Sequence, residues 1–190
     1  MKLNTVVITG GTGSFGQAFT RRLLAVPDGP HIRILSRDEH KQEIMANDLK
    51  NPRRVTFIIG DVRDQDKLRQ AFDGANAVVH AAALKRVGPS EQAADEFVKT
   101  NIFGTDNVVS AAIRAGVPRS LLISSDKACE PFNTYGKTKA VAESVFRGPV
   151  VNLGPTMDST ISPFDGLNVT YQGGMFMDPR YYPARKDGML

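Results

Sequence analysis

Thr5-Val-Val-Ile-Thr9-Gly10-Gly-Thr-Gly13-Ser-Phe-Gly16 is the stretch that sets the fold class. Its β-branched run bounded by glycine predicts a short strand buried on both faces of a parallel sheet. Behind it, Phe15, Phe19, Leu23 and Leu24 recur at helical spacing, which predicts a helix over Gln17 to Val26. A strand, a glycine loop and a helix in that order suit a bound phosphate. Glycines let the backbone approach a pyrophosphate, and the amides of the helix N-terminus point at it with the positive end of the dipole. Gly10, Thr12, Gly13, Ser14, Phe15 and Gly16 are the candidate contacts. Their spacing is Gly-x-x-Gly-x-x-Gly, not the Gly-x-Gly-x-x-Gly of the usual dehydrogenase fingerprint. The competing reading is a tight turn without a ligand, and the flanking elements weigh against it.

Further along, His31-Ile-Arg-Ile-Leu-Ser36 reads as a second strand, whose end belongs near an adenosine ribose. Arg37 after Ser36 offers a fork for a 2′-phosphate, and Lys41 lies one helical turn on, so NADP is expected ahead of NAD. Asp38 stands beside them and would suit the 2′-hydroxyl of NAD; for Arg37 a solvated strand end is the alternative. A helix from Glu39 to Leu49 stops before Asn51-Pro52, and Val55 to Ile59 is predicted as a third buried strand. Asp61, followed by Val62, is placed to accept from an adenine amino group or to cap a helix. After a helix over Gln65 to Phe72, Ala77 to Ala83 reads as strand four. The small side chains of Ala81, Ala82 and Ala83 leave room for a cofactor along the backbone, and Lys85 with Arg86 suits a nucleotide phosphate or plain solvation. His80 is expected to be a packed core residue. One long helix is predicted from Ser90 to Ala115, carrying Thr100 and Asn101 as polar positions, and Arg119 to Ser124 is strand five.

That strand delivers the chain's reactive groups: Ser124, Ser125, Asp126 and Lys127, then a helix opening near Asn133 with Tyr135 and Lys139. Tyr135 and Lys139 are four apart and so share a helix face. A free tyrosine is a poor base at neutral pH. An ammonium one turn away stabilises its phenolate form, which suits removal of a proton from a sugar hydroxyl. The hydroxyl of Ser124 or Ser125 is placed to orient the same substrate oxygen.

Composition narrows the classes. At 190 residues, 41% hydrophobic and 23% charged, the chain has the make-up of a soluble globular domain with one substantial core. No apolar run approaches the roughly 20 residues of a membrane span, no signal-peptide core precedes the first strand, and the cytoplasm is expected. The single cysteine, Cys129, provides neither an internal disulfide nor a metal cluster, so no metal is expected. The formal charge of +4 is spread among acids, which argues against a nucleic-acid partner and leaves anionic small ligands open. Five alternating strand and helix units predict an α/β fold, a doubly wound parallel sheet with its ligand along the carboxyl ends of the strands.

Taken together, Thr9 to Gly16, Ser36-Arg37-Asp38-Glu39, Gly60-Asp61-Val62-Arg63-Asp64, His80 to Lys85, Thr100-Asn101 and Ser125-Asp126-Lys127-Ala128 with Tyr135-Gly-Lys-Thr-Lys139 resemble the extended short-chain dehydrogenase/reductase superfamily. Within it they look like the inverting UDP-N-acetylglucosamine 4,6-dehydratases of surface-polysaccharide and flagellin-glycan synthesis. Asp126-Lys127 is the most discriminating pair, since reductases and epimerases of the superfamily usually lack it. The resemblance implies a Rossmann domain binding NADP through the contacts above and through Asn101, Tyr135 and Lys139. It also implies a nucleotide-sugar substrate and a homo-oligomer. By the same resemblance, Tyr135, aided by Lys139 and a serine hydroxyl, takes the 4-hydroxyl proton while hydride leaves C4. Lys127, kept neutral by burial, removes the C5 proton, and protonated Asp126 donates to the departing C6 hydroxyl.

The match spans about residues 4 to 147, so a cofactor-binding domain is assigned to 1–147 and an irregular extension of unknown role to 148–190. In that extension Val150 to Leu153 is a candidate sixth strand. The remainder reads as a flap on the sheet, a partner-binding extension or foreign sequence, and the small domain that closes over the sugar in the family has no counterpart there. Two function classes follow. One is an NADP-dependent nucleotide-sugar dehydratase with a shortened substrate region, and the other is a catalytically weak NADP-binding module acting through a partner.

Overall fold

The computed structural model describes residues 3–50 and 53–152, the last five as backbone alone. Strands β1 (Thr5–Thr9), β2 (His31–Ser36), β3 (Val55–Ile59), β4 (Ala77–His80) and β5 (Ser120–Leu122) form a parallel sheet in the order β3-β2-β1-β4-β5. Chain order reverses beside β1, between β2 and β4, and a crevice opens there at the carboxyl ends of the strands. Register carries the side-chain alternation across the sheet: Val7 stands beside Val78, and Ile8 beside Ile34 and Val79. Val7, Leu35 and Val78 turn to one face, where they meet Leu68 and Phe72 of α3 (Gln65–Phe72) and Val108 and Ala112 of α6 (Gly104–Arg114). Val6, Ile8, Ile32 and Ile34 turn to the other, against Phe19 and Leu23 of α1 (Ser14–Leu24) and Met45 of α2 (Glu39–Asp48). The fully buried valine, leucine, isoleucine, methionine and phenylalanine side chains among them contribute about 1.5–3 kcal/mol each by leaving water. Asp38 and Asp64 cap α2 and α3, each side chain accepting from the backbone N–H three residues on.

The first helix starts at Ser14, inside the glycine loop and earlier than its apolar spacing suggests. Strand β3 is not buried as expected: it is the edge strand, and Ile59 is 52% exposed. Strand β4 stops at His80 because Ala81 makes the last ladder bond, to Thr9 O, after which the chain lifts away from the sheet. The single helix expected over Ser90 to Ala115 is broken. It consists of α4 (Val87–Gln92), α5 (Ala94–Phe97), a π-helical turn over Val98–Phe103, and α6. Ala93, at φ −130°, makes the first break. The expected sixth strand is overturned for Val150 to Asn152, because α7 (Thr134–Asn152) continues through them and across the expected boundary at residue 147. A short apolar run does not by itself distinguish strand from helix. Leu153 and the rest of the extension lie outside the described residues.

A chain of buried hydrogen bonds joins the sheet to the π turn. Thr105 donates its hydroxyl to Asn101 O (2.6 Å), so at 3.1 Å it accepts from His80 Nε2, and His80 Nδ1 in turn accepts from Thr9 Oγ1 at 2.6 Å. The Ala82 N–H donates to Thr9 Oγ1. The expectation of a packed His80 is met, with the ring in one neutral tautomer.

Two expectations concern stability. Gly10 sits at φ +66°, and an added Cβ would lie 2.6 Å from Ala82 Cα, whereas Gly74 at φ +64° has open space around it. Gly10→Ala should lower stability by about 1–3 kcal/mol more than Gly74→Ala in denaturant unfolding, because only the first adds overpacking to backbone strain. Burial, helped by the charge of Lys139, holds the His80 imidazole down at about 3. Since that lies below the unfolded value, the unfolded chain takes the proton first. The stabilisation is complete above about pH 6.5 and drains away towards pH 3, by up to about 1.4 kcal/mol per pH unit. His80→Leu should flatten that part of the stability profile, and an unchanged slope would exclude His80 as its source.

Candidate active site

Three segments meet at the carboxyl edge of β1, β4 and β5 around a cleft of about 510 Å³. Gly10, Thr12, Gly13, Ser14, Phe15 and Gly16 form its floor, as the glycine loop predicts, and Ala81, Ala82, Ala83 and Lys85 form one wall. Ser36, Arg37, Asp38, Lys41, Asp61 and Val62 line it beyond the ends of β2 and β3. Ser124, Ser125, Asp126, Tyr135 and Lys139 line it beyond β5. The expected cofactor contacts and the reactive groups therefore share one cavity, with two exceptions, Asn101 and Lys127.

Asn101 is absent from the lining. Its side chain accepts from Leu84 N (2.8 Å) and donates to Leu84 O (2.9 Å) and Thr138 Oγ1 (3.0 Å), tying the β4 exit to α7. Its neighbour Thr100 lines the cleft instead, and the Thr100 hydroxyl is buried without a hydrogen-bond partner among the described residues. The π turn, with its wider winding, brings the two adjacent polar side chains to these different tasks, and the sequence signals only that both are polar positions on an amphipathic pattern.

At the nucleotide end the charges are already engaged with one another. Lys41 Nζ lies 2.8 Å from Asp38 Oδ2, and its hydrogen bond holds the Asp38 carboxyl below its usual range. Asp61 is pulled up by burial, but hydrogen bonds from Arg63 and the charges of Arg63 and Arg37 outweigh that and leave it lowered. Arg37 stands 3.5 Å from Asp61 and is half exposed. Asp61 does not cap α3; Asp64 does.

Asn133 caps α7 through the Gly136 N–H, and the Thr134 and Tyr135 amides donate to Glu91 and Ser90 of α4. Gly136 is needed here, since a Cβ would lie 2.1 Å from Lys127 O, and its absence lets the 3-10 turn Asp126–Ala128 rest on the helix. Tyr135 and Lys139 are both buried on one face of α7. Lys139 Nζ donates to Ile123 O at 2.8 Å, and burial, partly offset by Glu143, draws the ammonium down to about 8.

Lys127 differs from expectation. It is half exposed and outside the lining, with Nζ 2.7 Å from Asp126 Oδ2. The hydrogen bond between them raises Lys127 and lowers Asp126, so the lysine is charged and the aspartate ionised, opposite to the forms the resemblance assigns. Exposure is the cause: burial that would depress Lys127 is lacking. One further charged group escaped the sequence reading. Glu143 is buried one turn beyond Lys139 and accepts from Ser124 Oγ; the i, i+4, i+8 series from Tyr135 was the available signal. Among the described residues there is no cluster of metal ligands, and no helix is long and apolar enough to cross a membrane.

A family pattern described as "Polysaccharide biosynthesis protein" matches residues 6–152. The chain is 47% identical over 144 residues to a UDP-glucose 4-epimerase of Rickettsia rickettsii, covering 74% of this chain and 42% of that protein. It is 44% identical over 141 residues to an inverting UDP-N-acetylglucosamine 4,6-dehydratase of Campylobacter jejuni, with the same 74% and 42% coverage. The chain thus spans less than half the length of these curated relatives. Among solved structures, Pen from Bacillus thuringiensis superposes with a TM-score of 0.77 at 35% identity, covering 82% of this chain and 48% of that one. DesIV, a dTDP-glucose 4,6-dehydratase from Streptomyces venezuelae with NAD and TYD bound, gives 0.72 at 29% identity, covering 78% and 52%. The chain belongs to the polysaccharide biosynthesis protein family, within the extended short-chain dehydrogenase/reductase superfamily.

Proposed function

We propose that this chain carries the cofactor-binding and catalytic part of an NADP-dependent UDP-N-acetylglucosamine 4,6-dehydratase that inverts C5. The observation that supports this best is the single cleft with the glycine loop at its floor and Ser125, Asp126, Tyr135 and Lys139 at its end. The partnerless Thr100 hydroxyl in the wall fits a polar ligand such as a dinucleotide. Bound there, a nicotinamide supplies the hydride acceptor for C4 and the donor for C6. Tyr135 takes the 4-hydroxyl proton, and Lys139 beside it supplies a positive charge that a modest rise in pH removes. Ser125 orients the sugar oxygen.

Elimination needs a neutral Lys127 as base and a protonated Asp126 as acid. Both arise from one proton moving from Lys127 Nζ to Asp126 Oδ2 along the existing 2.7 Å contact. In water the ion pair is the stable form, while a cover that dries the site disfavours both charges and shifts the balance to the neutral pair. Half exposed as they are here, Asp126 and Lys127 remain in the ionic form. A second reading, a nucleotide-sugar 4-epimerase, is supported by the naming of the Rickettsia relative and shares the first step at Tyr135. The exposed apolar side chains of Phe103, Ile113 and Val141 support self-association.

Calorimetric titration should give tighter binding for NADP than for NAD, with Arg37→Ala losing about tenfold or more of the NADP affinity. Equal affinities would overturn the cofactor assignment. Incubation with UDP-N-acetylglucosamine and mass spectrometry should show loss of one water at a weak rate or not at all, because the reacting pair is wet. Turnover of about 1 per second or faster would contradict the need for a cover. A product of unchanged mass but altered configuration would establish the epimerase reading instead, and Lys127→Ala as active as the parent would remove the elimination mechanism.

A further inference from the structure

Beyond β5, two successive residues are each held by α7. Ile123 O accepts from Lys139 Nζ at 2.8 Å, and Ser124 Oγ donates to Glu143 Oε1. Lys139 and Glu143 are one helical turn apart, so the two bonds act as paired ties between one helix stripe and one strand end. Tyr135 occupies the turn before them on the same stripe. The tied segment leads directly into Ser125 and Asp126, which line the cleft. Its following turn is closed by Ser125 O accepting from Ala128 N and Asp126 O accepting from Cys129 N.

The surroundings make the second tie consequential. Val109 of α6, Leu122 of β5 and Phe146 of α7 pack together nearby, and Glu143 is itself buried. Burial pushes the Glu143 carboxyl up, against the Ser124 hydrogen bond and the charges of Arg147 and Lys139. Among the described residues, the charged groups acting on it include Lys139 and Arg147 on α7, and Lys139 also acts on the neutral His80 of β4. Glutamate in this position acts on Lys139 in the sense that retains the lysine's proton.

We propose that Glu143 is a positioning residue that clamps the end of β5 to the stripe of α7 bearing Tyr135 and Lys139, by holding the Ser124 hydroxyl while countering the Lys139 charge. The consequence for catalysis rests on the reading given under Proposed function. The clamp itself does not, and it is testable without cofactor or turnover.

The test uses the full chain with ¹³C-labelled lysine, in which the Lys139 signal is identified by its absence from Lys139→Arg. Glu143→Gln keeps an acceptor for Ser124 and removes the charge. The Lys139 midpoint, about 8 in the parent, should fall by about 1 pH unit, while amide exchange of Lys127, Ala128 and Cys129 stays at the parental rate. Glu143→Ala, and independently Ser124→Ala, removes the tie and should speed exchange at those three amides by about tenfold. A residue that merely fills space would not be rescued by glutamine in exchange while still shifting the lysine. A Lys139 midpoint unchanged in Glu143→Gln, or parental exchange in Ser124→Ala, would overturn the clamp. Failure of the parent to bind either nicotinamide dinucleotide would overturn the functional reading and leave the clamp standing.

Discussion

A neutral imidazole with its proton on Nε2 is the joint between the sheet and the site. Thr105 has already committed its hydroxyl proton to Asn101 O, and Thr9 gives its own to Nδ1, so a second proton on His80 would reverse the bond to Thr9 and take away the acceptor of the Thr9 hydroxyl. From this joint the structure extends in two directions. Through Thr9 it reaches the Ala82 amide in the cleft wall, and through Thr105 it reaches the π turn, whose Asn101 grips both the β4 exit and Thr138 of α7. The helix that carries Tyr135 is therefore registered against β1 by polar contacts between buried side chains, where each unmade bond costs about 1–3 kcal/mol.

Two lysines twelve residues apart show how position sets chemistry. Lys139 is buried, bonded to a carbonyl and flanked by a carboxylate, and its ammonium is brought within reach of neutral pH. Lys127 stands half in water against Asp126 and is held more firmly protonated than a free lysine. One ammonium is governed by burial, the other by a carboxylate neighbour in water.

The elements that were legible in the sequence are those with strong local signals. β1, β2, β3 and α3 fall at the expected residues because short β-branched runs end at glycine, aspartate or serine, and the helix has an apolar period with a cap. The cleft lining was legible too, because the glycine loop and the strand ends converge in any doubly wound sheet. What escaped depended on partners far along the chain. Nothing local in Ala81 to Ala83 says that they leave the sheet, since that follows from the bonds of Thr9 and Asn101. The π turn in the long helix accompanies the tertiary bonds of Asn101, and the earlier break at Ala93 lies outside them. The protonation of Lys127 depends on exposure, and the edge position of β3 depends on strand order; neither has a period to read.

The place of β1 in the centre of a parallel sheet has a kinetic consequence. Thr9 bonds to His80 across 71 residues of chain, whereas its other neighbour strand follows soon after it. At ribosomal speeds of about 5–20 residues per second, roughly 4–14 s separate the synthesis of the two halves of that contact. During that interval one edge of β1, rich in valine and isoleucine, has no strand to pair with and offers its backbone to any other extended segment. Productive folding of this chain therefore depends on how well a half-made sheet is shielded until β4 arrives.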